Sequence, residues 1–197
     1  MTRNPKVAFQ GSPEENYNIF SIHMNELINN YNSVHCINLI DKKRDQFKIG
    51  KEYEKLCNDY KMKESKNGRS LEYSWFDFHS ECKKMRYDNI KKLFMQENVS
   101  KNLDASKYTS FQIEQNKYKS LINDKDQKIL EFFIQEKFFD CVEVQKVIFR
   151  TNCMDSLDRT NVVQSVFGRY FLRLMLLDLN LTNVPPSKEN ISIEFIG

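Results

Sequence analysis

Between Val142 and Leu177 the chain passes from a β-prone run, through a short polar loop, into a helical pattern. That succession restricts the fold more than any other feature. Val142, Val144, Val147, Ile148 and Phe149 are apolar and mostly β-branched, which reads as a strand over 142–149. Thr151 to Asp158 is polar. Val162, Val163, Val166, Phe167, Tyr170, Leu174 and Leu177 then recur at steps of three and four, one face of an amphipathic helix. Strand, loop and helix in that order form one α/β unit.

Upstream segments fit the same class. Residues 14–31 read as a helix, with Phe20, His23, Leu27 and Tyr31 on its apolar face and Ser12 and Pro13 as cap and first turn. On that face His23 is expected in the core. Val34 to Ile40 reads as a buried strand, and Leu71 to Phe78 is aromatic and β-prone. Residues 41–67 are charged, with Lys51 to Lys63 a solvated helix. Glu81 to Met95 reads as a second helix, 96–126 as a loop or insertion of low order, and Ile129 to Phe139 as helical again.

Composition narrows the function. The net charge of +3, from 30 basic and 27 acidic side chains, is too even to argue for nucleic acid. The 5 cysteines are odd in number and no pair shows metal-ligand spacing, so a reducing cytosolic compartment is the simplest reading. Met1 to Asn18 has no apolar core of a signal peptide. The most apolar run, Phe171 to Leu181, is too short for a membrane span and contains Arg173 and Asp178. Any membrane is expected to be met from its aqueous side, or through sequence absent from this chain.

The loop itself reads Cys153-Met-Asp-Ser-Leu-Asp-Arg159-Thr160. A cysteine and an arginine five residues apart, between strand and helix, suit a phosphate monoester. The backbone N–H groups of Met154, Ser156, Leu157 and Thr160 can turn inward around its oxygens. The helix that follows aims its N-terminus at the same point, and Arg159 can close the ring as a bidentate fork. A thiolate is the nucleophilic form of cysteine, and a helix N-terminus with a nearby guanidinium is the surrounding that favours it. Cys153 would attack phosphorus, form a phosphocysteine and be released by water. Thr160 is a candidate to hydrogen-bond the sulfur as it leaves. The leaving oxygen needs a proton, and Asp155 and Asp158 are both candidates that spacing does not separate. Without its setting the Cys-x5-Arg spacing would be a weak signal, and Cys153 would read as a buried structural thiol.

The residues around the loop carry a resemblance. Arg150-Thr-Asn-Cys-Met-Asp-Ser-Leu-Asp-Arg-Thr-Asn-Val-Val-Gln-Ser165 resembles the signature of Sac-domain phosphoinositide phosphatases. Phe76-Asp-Phe-His-Ser-Glu-Cys-Lys-Lys-Met-Arg86 resembles that family's segment ahead of the loop, and the stretches around His23 and Asn38-Leu-Ile40 also look like it. The resemblance runs from about residue 17 to about residue 177, with 96–126 unmatched. It implies an α/β fold, a mixed sheet flanked by helices with a cysteine-phosphatase-like core, a phosphatidylinositol phosphate substrate (the 4-phosphate first, with the 3-phosphate and 3,5-bisphosphate open), no cofactor and no metal. It also implies peripheral contact with the cytoplasmic face of the endoplasmic reticulum or Golgi. Carried over by position, Cys153 is the nucleophile and Arg159 binds phosphate. Asp155, Asp158, Thr160 and Asn161 are loop positions of less defined role. The loop is also similar to that of the myotubularin lipid phosphatases, which favours Asp158 as the acid. Ser156 departs from the family's usual second cysteine. Residues 1–197 are expected to form the C-terminal part of a Sac domain without its N-terminal subdomain.

Lys83, Lys84 and Arg86 are expected either to form a basic rim for an anionic headgroup or membrane, or simply to be a solvated face. His79 is expected to touch substrate or the loop, or to be a satisfied structural histidine. Two rival functions remain: a phosphoinositide-binding fragment without turnover, and a protein phosphatase using the same loop.

Overall fold

The computed structural model describes residues 8–64, 70–113, 139–154 and 158–189. Helix α1 (Pro13–Tyr31) starts where the sequence signals a start. Glu15 N–H donates to Ser12 Oγ at 3.2 Å, and Ser12 N–H donates to Glu15 Oε2 at 2.7 Å, a reciprocal cap with Pro13 in the first turn. The buried stripe of α1 is Met24 and Ile28, flanked by Tyr17, Phe20 and Leu27. His23 is therefore not core. It lies one step off that stripe and is exposed.

Next come β1 (Ser33–Asn38), α2 (Arg44–Glu64), β2 (Ser70–Trp75), α3 (Phe78–Glu81), α4 (Lys91–Phe94) and α5 (Glu97–Ala105). Strands β3 (Ser110–Ile113) and β4 (Phe139–Glu143) pair antiparallel within a separate compact unit, residues 107–145. The main unit resumes with β5 (Val147–Asn152) and α6 (Asp158–Asp178). Its sheet has the order β2-β1-β5, and all three strands run parallel. Central β1 is buried on both faces, as a strand between helical layers must be. Val34 and Cys36 pack with Met24, Ile28, Cys57 and Tyr60 under α1 and α2. Ile37 and Leu39 pack with Leu93, Phe94, Val99, Leu103, Val163 and Phe167 under α4, α5 and α6. Each such burial contributes roughly 1.5–3 kcal/mol.

Four sequence expectations need correction. The strand expected over 142–149 is two strands, β4 and β5, and β5 runs on to Asn152, so the loop starts at Cys153. The helix expected over 81–95 is broken into α3, two 3₁₀ turns (Lys83–Met85 and Tyr87–Ile90) and α4, with Lys84 and Met85 at φ 56° and 58°. Part of the supposed loop 96–126 is helix α5, because Val99 and Leu103, four apart, supply it with a buried face. The solvated helix 51–63 is longer, starts at Arg44 and buries Gly50, Cys57 and Tyr60. Of the expected helix 129–139 only Phe139 is described, and it opens β4; 129–138 lie outside the described residues.

Two packing details are specific enough to test. A Cβ on Gly50 would stand 2.2 Å from Trp75 Cζ2. Trp75 cannot swing away freely, since its Nε1–H donates to Ile40 O at 2.9 Å and its ring stacks on Phe47. Gly50→Ala would gain up to about 1 kcal/mol in helix propensity but overpack a rigid ring. Net destabilisation of about 1–2 kcal/mol is expected in denaturant unfolding.

His35, on β1, is fully buried. Its Nε2 meets Ser74 Oγ at 2.9 Å, its Nδ1 meets Asn102 Nδ2 at 2.7 Å, and its ring stacks on Phe149. An amide donor at Nδ1 and a hydroxyl at Nε2 suit the neutral ring. Burial, with a smaller effect from Lys61, lowers its pKa to about 4 from 6.5. In the unfolded chain the ring protonates near 6.5, so the stability it contributes is complete above that pH and is lost as pH falls toward 4. The loss is about 3 kcal/mol at most. Unfolding free energies measured between pH 7 and 4 should show this slope, and His35→Asn should flatten it.

Candidate active site

Because β1, β2 and β5 are parallel, their exits leave the sheet at one edge, the place where open α/β sheets hold ligands. Asn38 stands level with Trp75 and Asn152 at that edge. It ties the exits together: Asn152 Nδ2 donates to Asn38 Oδ1 at 2.9 Å, and Asn38 Nδ2 donates to Tyr73 OH at 3.0 Å. The backbone continues the lacing, with Leu39 N–H to Asn152 O at 2.8 Å and Phe76 N–H to Asn38 O at 2.9 Å.

Cys153 is the first residue past β5. It is 7% exposed and belongs to the core cluster that contains Ile37, Leu39, Val163 and Phe167. Met154 is exposed, while Asp155, Ser156 and Leu157 lie outside the described residues. Helix α6 opens at exposed Asp158, so Arg159 and Thr160 sit in its first turn, where unpaired N–H groups and the positive dipole end are found. Thr160 is 5% exposed, and its Oγ1 has no hydrogen-bond partner among the described residues. Asn161 faces solvent.

Arg159 turns toward the β1 exit. Its Nη1 lies 3.2 Å from Asp41 Oδ1, 3.4 Å from Leu39 O and 3.4 Å from Gln46 Oε1. His79, at the exit of β2, brings Nδ1 to 2.9 Å from Asp41 Oδ1 and 3.2 Å from Oδ2. Gln46 Oε1 also accepts the Asp41 N–H at 2.9 Å. The edge thus gathers Cys153, Arg159, Thr160 and His79 from the sequence expectations and adds Asp41 and Gln46. Those two fall in the run 41–67, which reads from sequence only as charged. Only the strand order, which sets β1 beside both β2 and β5, marks them out.

Other expected residues stand apart from this cluster. Lys84 and Arg86 are exposed and make no hydrogen bond or ion pair with Arg159 or Asp41 among the described residues. Lys84 is held at φ 56°, which is uncommon without glycine and costs on the order of 1 kcal/mol. Neither Lys83 nor Lys84 has an acidic partner among the described residues, and Arg86 Nε–H donates only to Lys83 O, at 3.3 Å. Arg150, inside the resembling signature, points to the α1 and α2 side. There its Nη1–H donates to Tyr53 OH at 2.8 Å and its Nε–H reaches His23 Nε2 at 3.3 Å. Among the described residues no three His, Cys, Asp or Glu side chains are grouped to hold a metal ion.

Comparison with known proteins shows what the chain is similar to. The family model described as SacI homology domain matches residues 1–83, which include β1, Asp41 and His79. A Drosophila melanogaster protein named phosphatidylinositol-3-phosphatase SAC1 is 32% identical over 87% of this chain. A Saccharomyces cerevisiae polyphosphatidylinositol phosphatase is 27% identical over 90%, and human phosphatidylinositide phosphatase SAC2 is 30% identical over 94%. The chain spans 24%, 14% and 13% of the lengths of these three relatives.

The Thr160 hydroxyl, without a hydrogen-bond partner among the described residues, yields a stability test. Removing a buried hydroxyl that makes no hydrogen bond should not destabilise the fold. Thr160→Val should leave the unfolding free energy unchanged or raise it by up to about 1 kcal/mol, as read from denaturant titration. A clear loss would mean that the hydroxyl is bonded in the native state.

Proposed function

We propose that this chain, a homologue of the Sac-domain phosphoinositide phosphatases, hydrolyses a phosphate monoester of a phosphatidylinositol phosphate through a phosphocysteine intermediate. One observation carries the reading. Cys153 directly follows a parallel strand at the sheet's carboxyl edge, and Arg159 stands in the first turn of the helix that follows. That is where a phosphate, an attacking sulfur and a guanidinium can meet.

In the proposed reaction the Cys153 thiolate attacks phosphorus in line with the inositol oxygen. The P–O bond breaks, and the leaving oxygen takes a proton from an aspartic acid. Asp158, exposed at the start of α6, is the preferred donor, with Asp155 the alternative. Water then attacks the phosphocysteine and the resulting carboxylate accepts its proton. The P–S bond breaks to give inorganic phosphate and the thiolate. Loop N–H groups and Arg159 stabilise the charge on the equatorial oxygens. The Thr160 hydroxyl is the candidate donor to the departing sulfur.

Phosphatidylinositol 4-phosphate is the first substrate to test, and the 3-phosphate, which the Drosophila relative's name carries, is the second. The place of action proposed is the cytoplasmic face of endoplasmic reticulum or Golgi membranes, with Lys83, Lys84 and Arg86 as the basic rim toward an anionic surface. No helix among the described residues is long and apolar enough to cross a membrane. Because the chain spans at most 24% of these three relatives, a phosphoinositide-binding piece without turnover is the second reading.

Phosphate release from vesicles carrying single phosphoinositides separates the two. Turnover of one lipid, reduced at least about a thousandfold in Cys153→Ser, is expected. Headgroup binding with no release from folded protein would establish the binding piece instead. Release from phosphopeptides but not lipids would establish a protein phosphatase.

A further inference from the structure

We infer that Asp41 is a positioning residue for Arg159, and that His79 and Gln46 serve the site by holding Asp41. The inference rests on the phosphatase reading. It begins from the chain segments involved, which are remote in sequence. Asp41 follows β1, Gln46 is in the first turn of α2, His79 is on α3, and Arg159 is in the first turn of α6. The four side chains nevertheless form one connected network. Asp41 Oδ1 is shared between Arg159 and His79, Oδ2 also faces His79, and Gln46 Oε1 bridges the Asp41 N–H and Arg159 Nη1.

The geometry distinguishes this pair from an ordinary surface bridge. The side chains of Arg159 and Asp41 are 15% and 24% exposed, whereas those of Lys48 and Asp45 nearby are 66% and 52%. Partly desolvated charges interact more strongly than solvated ones. Yet the contacts are not tight. Three acceptors crowd around a single nitrogen that carries two hydrogens, at 3.2–3.4 Å. Such contacts orient a guanidinium without locking it, and a phosphate oxygen can take over one of them. A long arginine that is already aimed loses less rotamer freedom when the phosphate arrives.

Asp41 also sets a negative charge close to the guanidinium that receives an anion. Removing that charge should not weaken ground-state binding of phosphate. It should instead loosen the aim of Arg159, which matters most when charge builds on the equatorial oxygens. The signature is therefore a split: turnover falls while phosphate affinity holds or tightens. A merely structural bridge would lose both together with thermal stability.

The test compares the full chain with Asp41→Asn, using phosphatidylinositol 4-phosphate in phosphatidylcholine vesicles for turnover and inorganic phosphate for binding by calorimetry. Asp41→Asn should lower kcat about 10- to 100-fold with phosphate affinity unchanged or up to a few-fold tighter. His79→Gln, which keeps an N–H donor for Asp41, should lose less kcat than His79→Ala. In an Arg159→Lys background, Asp41→Asn should add little. Unchanged kcat in folded Asp41→Asn, or kcat and phosphate affinity falling together, would overturn the inference alone. A wild-type chain that neither binds inorganic phosphate nor releases it in a Cys153-dependent way would overturn the phosphatase reading, and the inference with it.

Discussion

Parallel pairing of β1 with β2 and β5 is the constraint on which the rest depends. A parallel ladder sends its three exits to the same edge. Residues far apart in the chain then become neighbours: Asp41, His79 and Cys153 each follow a different strand by only a few residues. The middle strand can be central because its polar side chains are satisfied where it is buried on both faces: His35 by Ser74 and Asn102, and Asn38, near the edge, by joining the exits. A slip of one residue in either pairing would turn Ile37 and Leu39 away from the α6 side and break those amide contacts together.

The two helical layers have different tasks. Helices α1 and α2 cover the face bearing Val34 and Cys36, and there Arg150 is held by Tyr53 and His23. The opposite layer places α6 so that its N-terminus opens beside Cys153, while Val163, Val166 and Phe167 anchor it to the core. Aromatic contacts fix that anchor, with Phe167 4.5 Å from Phe94 and 4.6 Å from Phe149 between ring centroids. The first turn of α6 therefore inherits its position from buried rings one to three turns away. A site built on rigid elements in this way holds its geometry better than one built on loops.

Much of this was readable in the chain and some was not, for physical reasons. The cap of α1 and the run of β1 depend on local chemistry, so Ser12, Pro13 and the apolar run after Tyr31 revealed them. The placement of Cys153, Arg159 and Thr160 between strand and helix was readable because these segments are contiguous. The break between β4 and β5 was missed because an apolar run looks the same whether one strand or two use it. Helix α5 was missed because it is only 9 residues long, and two buried positions carry it within a polar stretch. Asp41 and Gln46 were invisible since their roles arise from strand order rather than from their own neighbours. His23 was misread by one position of helical phase.

The most direct test of the central claim is to quench the reaction with phosphoinositide early and locate the transferred phosphoryl group by mass spectrometry of the digested protein. The account predicts phosphate on the peptide containing Cys153, accumulating when the hydrolysis step is slowed. Turnover with no phosphate on Cys153, or with phosphate on another side chain, would contradict it.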